Sequence, residues 1–309
     1  MAEPNGIRTA SGETVLLTAP TRYHAYRTDG GRYSLSAAAD FLVDAGFGGA
    51  DLSLELITGI DGWDGDEGFR SVLYAFGNRA AARGLSLPLC HLPFYMPDPD
   101  NAPAMARFAR EQANGIRAAA LLSIPLAVIH PIVRHSSRRC REEWLNENMA
   151  FLSPLAELAG RMNVTLCIEN MAGRPYDGAP AEAVFGSRAS DICDLATRLG
   201  TAVCWDFGHA HLTGLCQSVE LEQLAGFVRA VHIHDNDGVT DSHRIPGDTP
   251  GGIDWDDAAE GLRLSGYLDT PGRCLDLELK SSDLPPDRST RLSHAARALA
   301  WGRMFAGRI

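Results

Sequence analysis

The stretch Val231–Trp255, VHIHDNDGVTDSHRIPGDTPGGIDW, decides how the chain is read. Val231-His232-Ile233-His234 alternates apolar and polar residues, and a strand sends successive side chains to opposite faces. Both histidines therefore share one face. Val231 and Ile233 share the other, against a helix layer. Asp235-Asn236-Asp237-Gly238 ends the strand with turn chemistry. Asp241 and His243 follow in a loop whose backbone Gly247, Gly251 and Gly252 leave free. Asp254 then reads as a helix N-cap, with Asp257 three residues on. The segment is one βα unit with its titratable groups at the strand's C-terminal end.

The same rhythm extends in both directions. Strand candidates are Thr14–Ala19, Gly49–Leu54, Leu85–Pro93, Pro125–His130, Val164–Glu169, Thr201–Asp206, Val231–Asp235 and Arg273–Leu279. The spacing predicts helices over Leu35–Ala45, Phe69–Arg83, Ala104–Leu122, Glu142–Ala159, Ile192–Leu199, Leu221–Arg229, Ala258–Leu264 and Ser293–Met304. Gly46, Gly84, Gly160 and Gly200 stand just past four of them, where a left-handed residue ends a helix. Pro103 stands at the start of another, where a missing N–H does no harm. Strict alternation implies a parallel sheet, and eight units imply closure into a single (β/α)8 TIM barrel of class α/β. An open doubly wound sheet is the competing architecture; it wants a glycine-rich phosphate turn after the first strand, and none is present. No linker or low-complexity tract divides the 309 residues. The expectation is one domain over 1–309, with 1–13 as a flexible N-terminal extension.

Composition narrows the partners. The formal net charge is -11, and an acidic chain repels nucleic acid and anionic membrane unless it carries a local basic patch. Arg134–Arg141 (RHSSRRCR) is the densest basic cluster, a solvated loop or a phosphate holder after the fourth strand. Lys280 is the sole lysine among 28 basic residues. No apolar run is long enough to span a bilayer, and MAEPNGIRTASGE lacks the apolar core of a signal peptide. Seven cysteines without framework spacing suit a reducing cytosol. The expectation is a cytoplasmic protein with no nucleic-acid or membrane partner; whether it forms a homo-oligomer stays open.

In such a barrel, catalytic groups sit at the C-terminal strand ends. Those ends read His91, His130, Glu169, Asp206 with His209 a turn on, His232, and Glu278, and the loop after the seventh strand adds Asp241 and His243. All are oxygen or nitrogen donors. One such histidine is more often a hydrogen-bonded residue than a ligand, but this many at register-correct positions argue for a site. Period two puts Cys167 behind Glu169, Cys204 behind Asp206 and Asp276 behind Glu278. Ile168, Trp205, Leu277 and Leu279 then face the helices. His234 reads as a residue that orients its neighbours, and Lys280 as a salt-bridge partner at the mouth rather than a Schiff-base amine.

IEN at 168–170, CWDFGHAH at 204–211, the stretch 231–255 and LELK at 277–280 together resemble the sugar phosphate isomerase/epimerase family of xylose isomerase-like TIM barrels. The resemblance runs from about Ser34 onward and is strongest from Val164 to Lys280. It implies a divalent metal, Mn, Co, Mg or Zn, on Glu169, Asp206, His232 and Glu278, with His209 as a substrate or second-metal contact. The implied activity is metal-dependent isomerisation or epimerisation of a small sugar or polyol through a metal-stabilised enediolate. Glu169 and Glu278 would be the proton-transfer pair and His209 would steady the oxyanion. Tyr23, Tyr26, Phe94 and Tyr95 would be the aromatics available to stack on the sugar. The same superfamily includes the endonuclease IV type of zinc phosphodiesterase, whose further ligands fall on His91, His130, Asp241 and His243. That multinuclear hydrolase is the alternative, and a non-catalytic metal- or ligand-binding barrel is a third reading.

Overall fold

The computed structural model describes residues 6–25, 31–56, 67–133, 139–173, 184–270, 272–280, 284–285 and 287–309. Eight parallel strands form a closed ring: Thr14–Pro20 (β2), Gly49–Ser53 (β3), Ser86–His91 (β4), Leu126–Ile129 (β5), Thr165–Glu169 (β6), Ala202–Asp206 (β7), Val228–His232 (β8) and Cys274–Asp276 (β9). Each pairs with the next, and β9 returns to β2 through Leu16–Cys274, Leu17–Leu275 and Thr18–Asp276. Ile7–Arg8 (β1) lies antiparallel on the start of β2, so part of the stretch expected to be a flexible extension is a hairpin arm.

Helices ring the barrel: Leu35–Ala45 (α1), Glu67–Ala82 (α2), Ala102–Leu121 (α3), Arg141–Arg161 (α4), Ala189–Leu199 (α5), Phe207–Thr213 (α6), Gln217–Gln223 (α7), Trp255–Leu264 (α8) and Arg288–Ala306 (α9). Their ends follow local chemistry. The Ser34 side chain accepts from the Ala37 N–H to start α1, and Gly46 at φ 100° ends it. The Asp254 carboxylate accepts from the N–H groups of Asp256 and Asp257 to start α8. Among the described residues no helix is long and apolar enough to cross a membrane.

Two apolar layers follow from the period of two. Ile168, Trp205, Leu277 and Leu279 pack outward among the helices. Leu16, Leu89, Val128, Cys167, Cys204 and Ala230 fill the lumen. These lumen residues plug the lower barrel and leave its C-terminal mouth to polar groups.

Several boundaries differ from the sequence reading, three of them around the last two barrel strands. The seventh barrel strand starts at Val228 rather than Val231, because Gly226 at φ 83° turns the chain early. The preceding helix accordingly ends at Gln223 and not Arg229. The last strand is three residues long; beyond it Leu277 and Glu278 stay extended by donating to Thr18 and Ile233 carbonyls.

Tyr23 is not at the mouth. It is buried outside the barrel, with its hydroxyl 2.6 Å from His294 Nδ1. Tyr26 lies outside the described residues. His24 is buried beside Tyr23, stacked between Tyr33 and Phe41 at 4.3 and 4.1 Å.

Burial, with the nearby charges of Arg291 and Arg288, pushes the His24 imidazole down to about 4 from its usual 6.5. The unfolded chain therefore takes up this proton first as pH falls, so the stability contributed by neutral His24 is present above 6.5 and is lost between 6.5 and about 4. Urea midpoints measured across that window should fall less in His24→Phe than in the parent; an equal fall would show that His24 is not part of the acid response.

Candidate metal centre

Glu169 ends β6 with its side chain 1% exposed. Four imidazoles surround it. His91 Nε2 and His130 Nε2 lie 3.2 Å from Oε2, while His232 Nδ1 and His209 Nδ1 lie 3.3 and 3.4 Å from Oε1. His232 Nδ1 is also 3.4 Å from Glu278 Oε2 and 3.8 Å from Asp206 Oδ2. Glu169, Asp206, His232 and Glu278 thus hold donor atoms all within 4.8 Å of one another. His91, His130 and Glu169 form a second such set, and His234, Asp241 and His243 a third.

The donors are locked from behind. One Asp206 oxygen accepts from the His209 N–H at 2.6 Å and so caps α6; the other lies 3.1 Å from His234 Nε2. The Asn170 carboxamide brackets Asp206, accepting from its N–H at 2.6 Å and donating to its carbonyl at 3.0 Å. The Asn170 carbonyl in turn takes His209 Nδ1 at 2.8 Å, fixing that ring. His243 Nδ1 lies 2.6 Å from the Glu278 carbonyl and its Nε2 2.9 Å from Asp241 Oδ2. Its ring stacks on His234 at 3.9 Å, so His234 joins Asp206 to the third set. The Asp235 carboxylate holds the loop in shape by accepting from Asn236, Gly247 and Ile253 N–H groups.

Both His232 ring nitrogens and one Asp241 oxygen are enclosed with no hydrogen-bond partner among the described residues. Buried polar atoms are costly unless bonded, and adjacent buried carboxylates repel each other. A divalent cation answers both costs, and mixed carboxylate and imidazole donors suit the metals named above. Burial works against charge on Glu278, but His232 and Arg22 outweigh it and hold the carboxyl well below the usual range. Burial likewise pulls His209 down, yet Asp206, Asp241 and Glu169 raise it to about 9.

A cavity of about 300 Å³ opens above the centre. Phe94, Met171, Leu212 and Val239 give it an apolar wall, and Lys280 and Arg22 stand on its rim. Lys280 Nζ donates to the Asp241 carbonyl at 2.6 Å and lies 4.0 Å from its carboxylate, the salt bridge expected at the mouth. Tyr95 points elsewhere and donates to Glu111. The sequence reading missed Arg22, whose guanidinium donates to Glu278 Oε1 and sits 5.3 Å over the Phe94 ring. Its one signal was a cation directly after the first barrel strand, at the catalytic end. Of the basic cluster after the fourth strand, 134–138 lie outside the described residues. Arg139 is taken by Asp100 and Glu147, and Arg141 by Asp191 and Asp194.

The family model for xylose isomerase-like TIM barrels matches residues 39–301. A protein of Sinorhizobium fredii called uncharacterized protein y4fM is 30% identical over 161 residues, 50% of this chain and 48% of that one, so the chain spans about half the length of the curated relative it matches. Among solved structures, a D-tagatose 3-epimerase-like protein superposes with a TM-score of 0.71 at 16% identity, covering 94% of this chain and 97% of that one. A D-psicose 3-epimerase gives 0.68 at 15% identity, over 95% and 100%. A xylose isomerase domain protein from Alicyclobacillus acidocaldarius gives 0.67 at 19%, over 94% and 99%.

Gly208 supplies a sharp test of the centre. A Cβ there would stand 1.9 Å from His234 Cε1, so Gly208→Ala must displace the ring that contacts Asp206 and stacks on His243. Disturbing such supporting contacts costs about 10- to 100-fold in metal affinity. Equilibrium dialysis should register a loss of that size while far-ultraviolet circular dichroism stays that of the parent. Unchanged metal affinity would mean that His234 does not support the centre.

Proposed function

The chain belongs to the xylose isomerase-like TIM barrel family, and from that premise we propose that it is a divalent-metal-dependent isomerase or epimerase acting on a small sugar or polyol. The observation that carries this reading is the convergence of Glu169 and Glu278 on one imidazole, 3.3 and 3.4 Å from His232 Nδ1, beneath a cavity of about 300 Å³. The likeness to sugar epimerases supports it.

Glu169, Asp206, His232 and Glu278 would hold the metal. When bound, it supplies Lewis acidity toward the sugar carbonyl and its neighbouring oxygen. Glu169 and Glu278 flank the substrate: one takes the proton from the carbon beside the carbonyl, and the other returns a proton. Arg22 fixes one Glu278 oxygen and leaves Oε2 facing the centre. His209, its Nδ1 held at 2.8 Å by the Asn170 carbonyl, turns its Nε2 toward the oxygen on which charge develops. Phe94, Met171 and Leu212 keep water from the reacting carbon.

One observation favours the multinuclear hydrolase as a second reading. Two of the donor sets share Glu169, and the third, His234, Asp241 and His243, lies against Asp206 through His234, an arrangement that suits more than one ion. The net charge of -11, and the acidic partners that occupy Arg139 and Arg141, weigh against a DNA substrate.

Turnover of the true sugar in D₂O should place deuterium on the carbon beside the carbonyl. Glu278→Gln should lower kcat by roughly two to four orders of magnitude, with metal content measured on the same sample so that a lost ligand is not read as a lost base. Deuterium-free product carrying ¹⁸O from water, with two or three metals per chain, would establish the hydrolase instead. Duplex DNA containing an abasic site should show no salt-dependent shift at physiological ionic strength; binding there would also favour the hydrolase.

A further inference from the structure

Cys204 lies on the inner face of β7, two residues before Asp206, and is a fully buried free thiol. The sulfur of Cys204, an oxygen of Glu169 and a ring nitrogen of His232 all lie within 4.8 Å of one another. This set shares Glu169 and His232 with the four-donor centre and has a thiol in place of Asp206 and Glu278. We propose that it is a second metal position, nested below the first, which takes zinc or another thiophilic divalent ion in place of an ion on the four donors above. The proposal rests on the reading of Glu169, Asp206, His232 and Glu278 as a metal centre, and not on the reaction performed there.

The stagger of the strands creates the position. β6 and β7 are offset so that Glu169 stands opposite Cys204, while Asp206 stands opposite His232 on β8. The thiol therefore reaches Glu169 from below, although it lies one pleat repeat behind Asp206. Its register partner on β8 is Ala230, which adds only a methyl group to the lumen there. His232 completes the set. Glu169, Asp206 and Glu278 all approach this ring at Nδ1. Its Nε2 is enclosed as well, and neither nitrogen has a hydrogen-bond partner among the described residues. A buried ring left in that state is costly, and either nitrogen can ligate.

Softness separates the two positions. Thiolate donors favour zinc and softer ions, whereas carboxylates suit manganese and magnesium. Binding at the lower set breaks the Cys204 S–H bond, forms a sulfur–metal bond and sends the proton to solvent. Glu169 and the thiolate then balance the charge of a divalent ion, as a buried set requires. The carboxylates left above keep partners: Glu278 keeps the Arg22 guanidinium, and Asp206 keeps the His209 N–H and the His234 ring. Because Glu169 and His232 belong to both sets, one ion excludes the other. An ion at the lower set also stands back from the substrate cavity, which neither Cys204 nor His232 lines.

X-ray absorption reads the position without any assay of turnover. In the parent loaded with one zinc per chain, the zinc edge should show a sulfur neighbour at about 2.3 Å. In Cys204→Ser that neighbour should be gone, leaving oxygen and nitrogen at about 2.0–2.2 Å. Cys204→Ala, whose methyl group matches that of Ala230 beside it, repeats the test should the serine hydroxyl disturb the lumen. Zinc should displace manganese from the parent, read as the return of the free-ion manganese signal in electron paramagnetic resonance. Cys204→Ser should weaken zinc by more than about 100-fold and manganese by less than about 10-fold, on either side of what disturbing a supporting contact costs. A zinc shell of oxygen and nitrogen alone in the parent would overturn the proposal, and so would a sulfur neighbour that survives in both Cys204 variants. Zinc bound beside manganese with none displaced would also overturn it. A parent that binds manganese but makes no zinc–sulfur bond loses only the lower position and keeps the four-donor centre; one that binds neither ion loses both.

Discussion

Burying several carboxylates in one barrel lumen sets the terms for the rest of this structure. Glu169, Asp206 and Glu278 are all at most 3% exposed and approach a single imidazole. Charges taken out of water at that proximity persist only if opposite charge is built around them. The protein surrounds them with imidazoles from five separate strand ends and loops, and brings the Arg22 guanidinium to Glu278 from the turn after β2. The hydrogen bonds behind these rings, from Asn170, Asp206 and the Glu278 carbonyl, exist to keep the rings aimed inward. The small lumen residues beneath, Cys167, Cys204 and Ala230, give the layer above them room.

How much of this could be read in the sequence depends on distance along the chain. An apolar strand ending in a titratable residue is a local signal, and it put His91, His130, Glu169, Asp206, His232 and Glu278 at one end of the barrel; the choice of Glu169, Asp206, His232 and Glu278 among them came from the family resemblance. The outward set Ile168, Trp205, Leu277 and Leu279 follows from the same two-residue period. Arg22 was invisible because its meaning lies in Glu278, 256 positions away. Tyr23 was misread for a related reason: its partner His294 is on the last helix and draws the ring out of the mouth. The start of β8 slipped because FVRAVHIH is apolar enough to extend either way, and only the glycine turn before it breaks the tie.

Basic residues divide by chemistry. Arginine has a planar fork that pairs well with carboxylates, and Arg79, Arg83, Arg139 and Arg141 spend theirs on surface ion pairs. The densest basic run in the sequence therefore carries little free charge where it is described. Arg244 and Lys280, 36 positions apart in sequence, are brought near each other because the loops after β8 and β9 hydrogen-bond through the Lys280 N–H and the His243 carbonyl. A charge cluster in sequence and a charge cluster in space are different objects here.

The ring closes at its weakest join. β9 has three residues, and it holds β2 through three paired positions and β8 through one. Glu278 stands directly beyond this seam, and its contacts with Arg22 and His232 reach across to both neighbours. Such long-range pairings form late, because each demands that a large loop be closed before any contact rewards it. A metal ion bound at Glu278 and Glu169 would act as a rivet across that join. Removing it would first let the seam breathe, and amide protons of β9 and β2 would exchange ahead of those in the middle of the barrel.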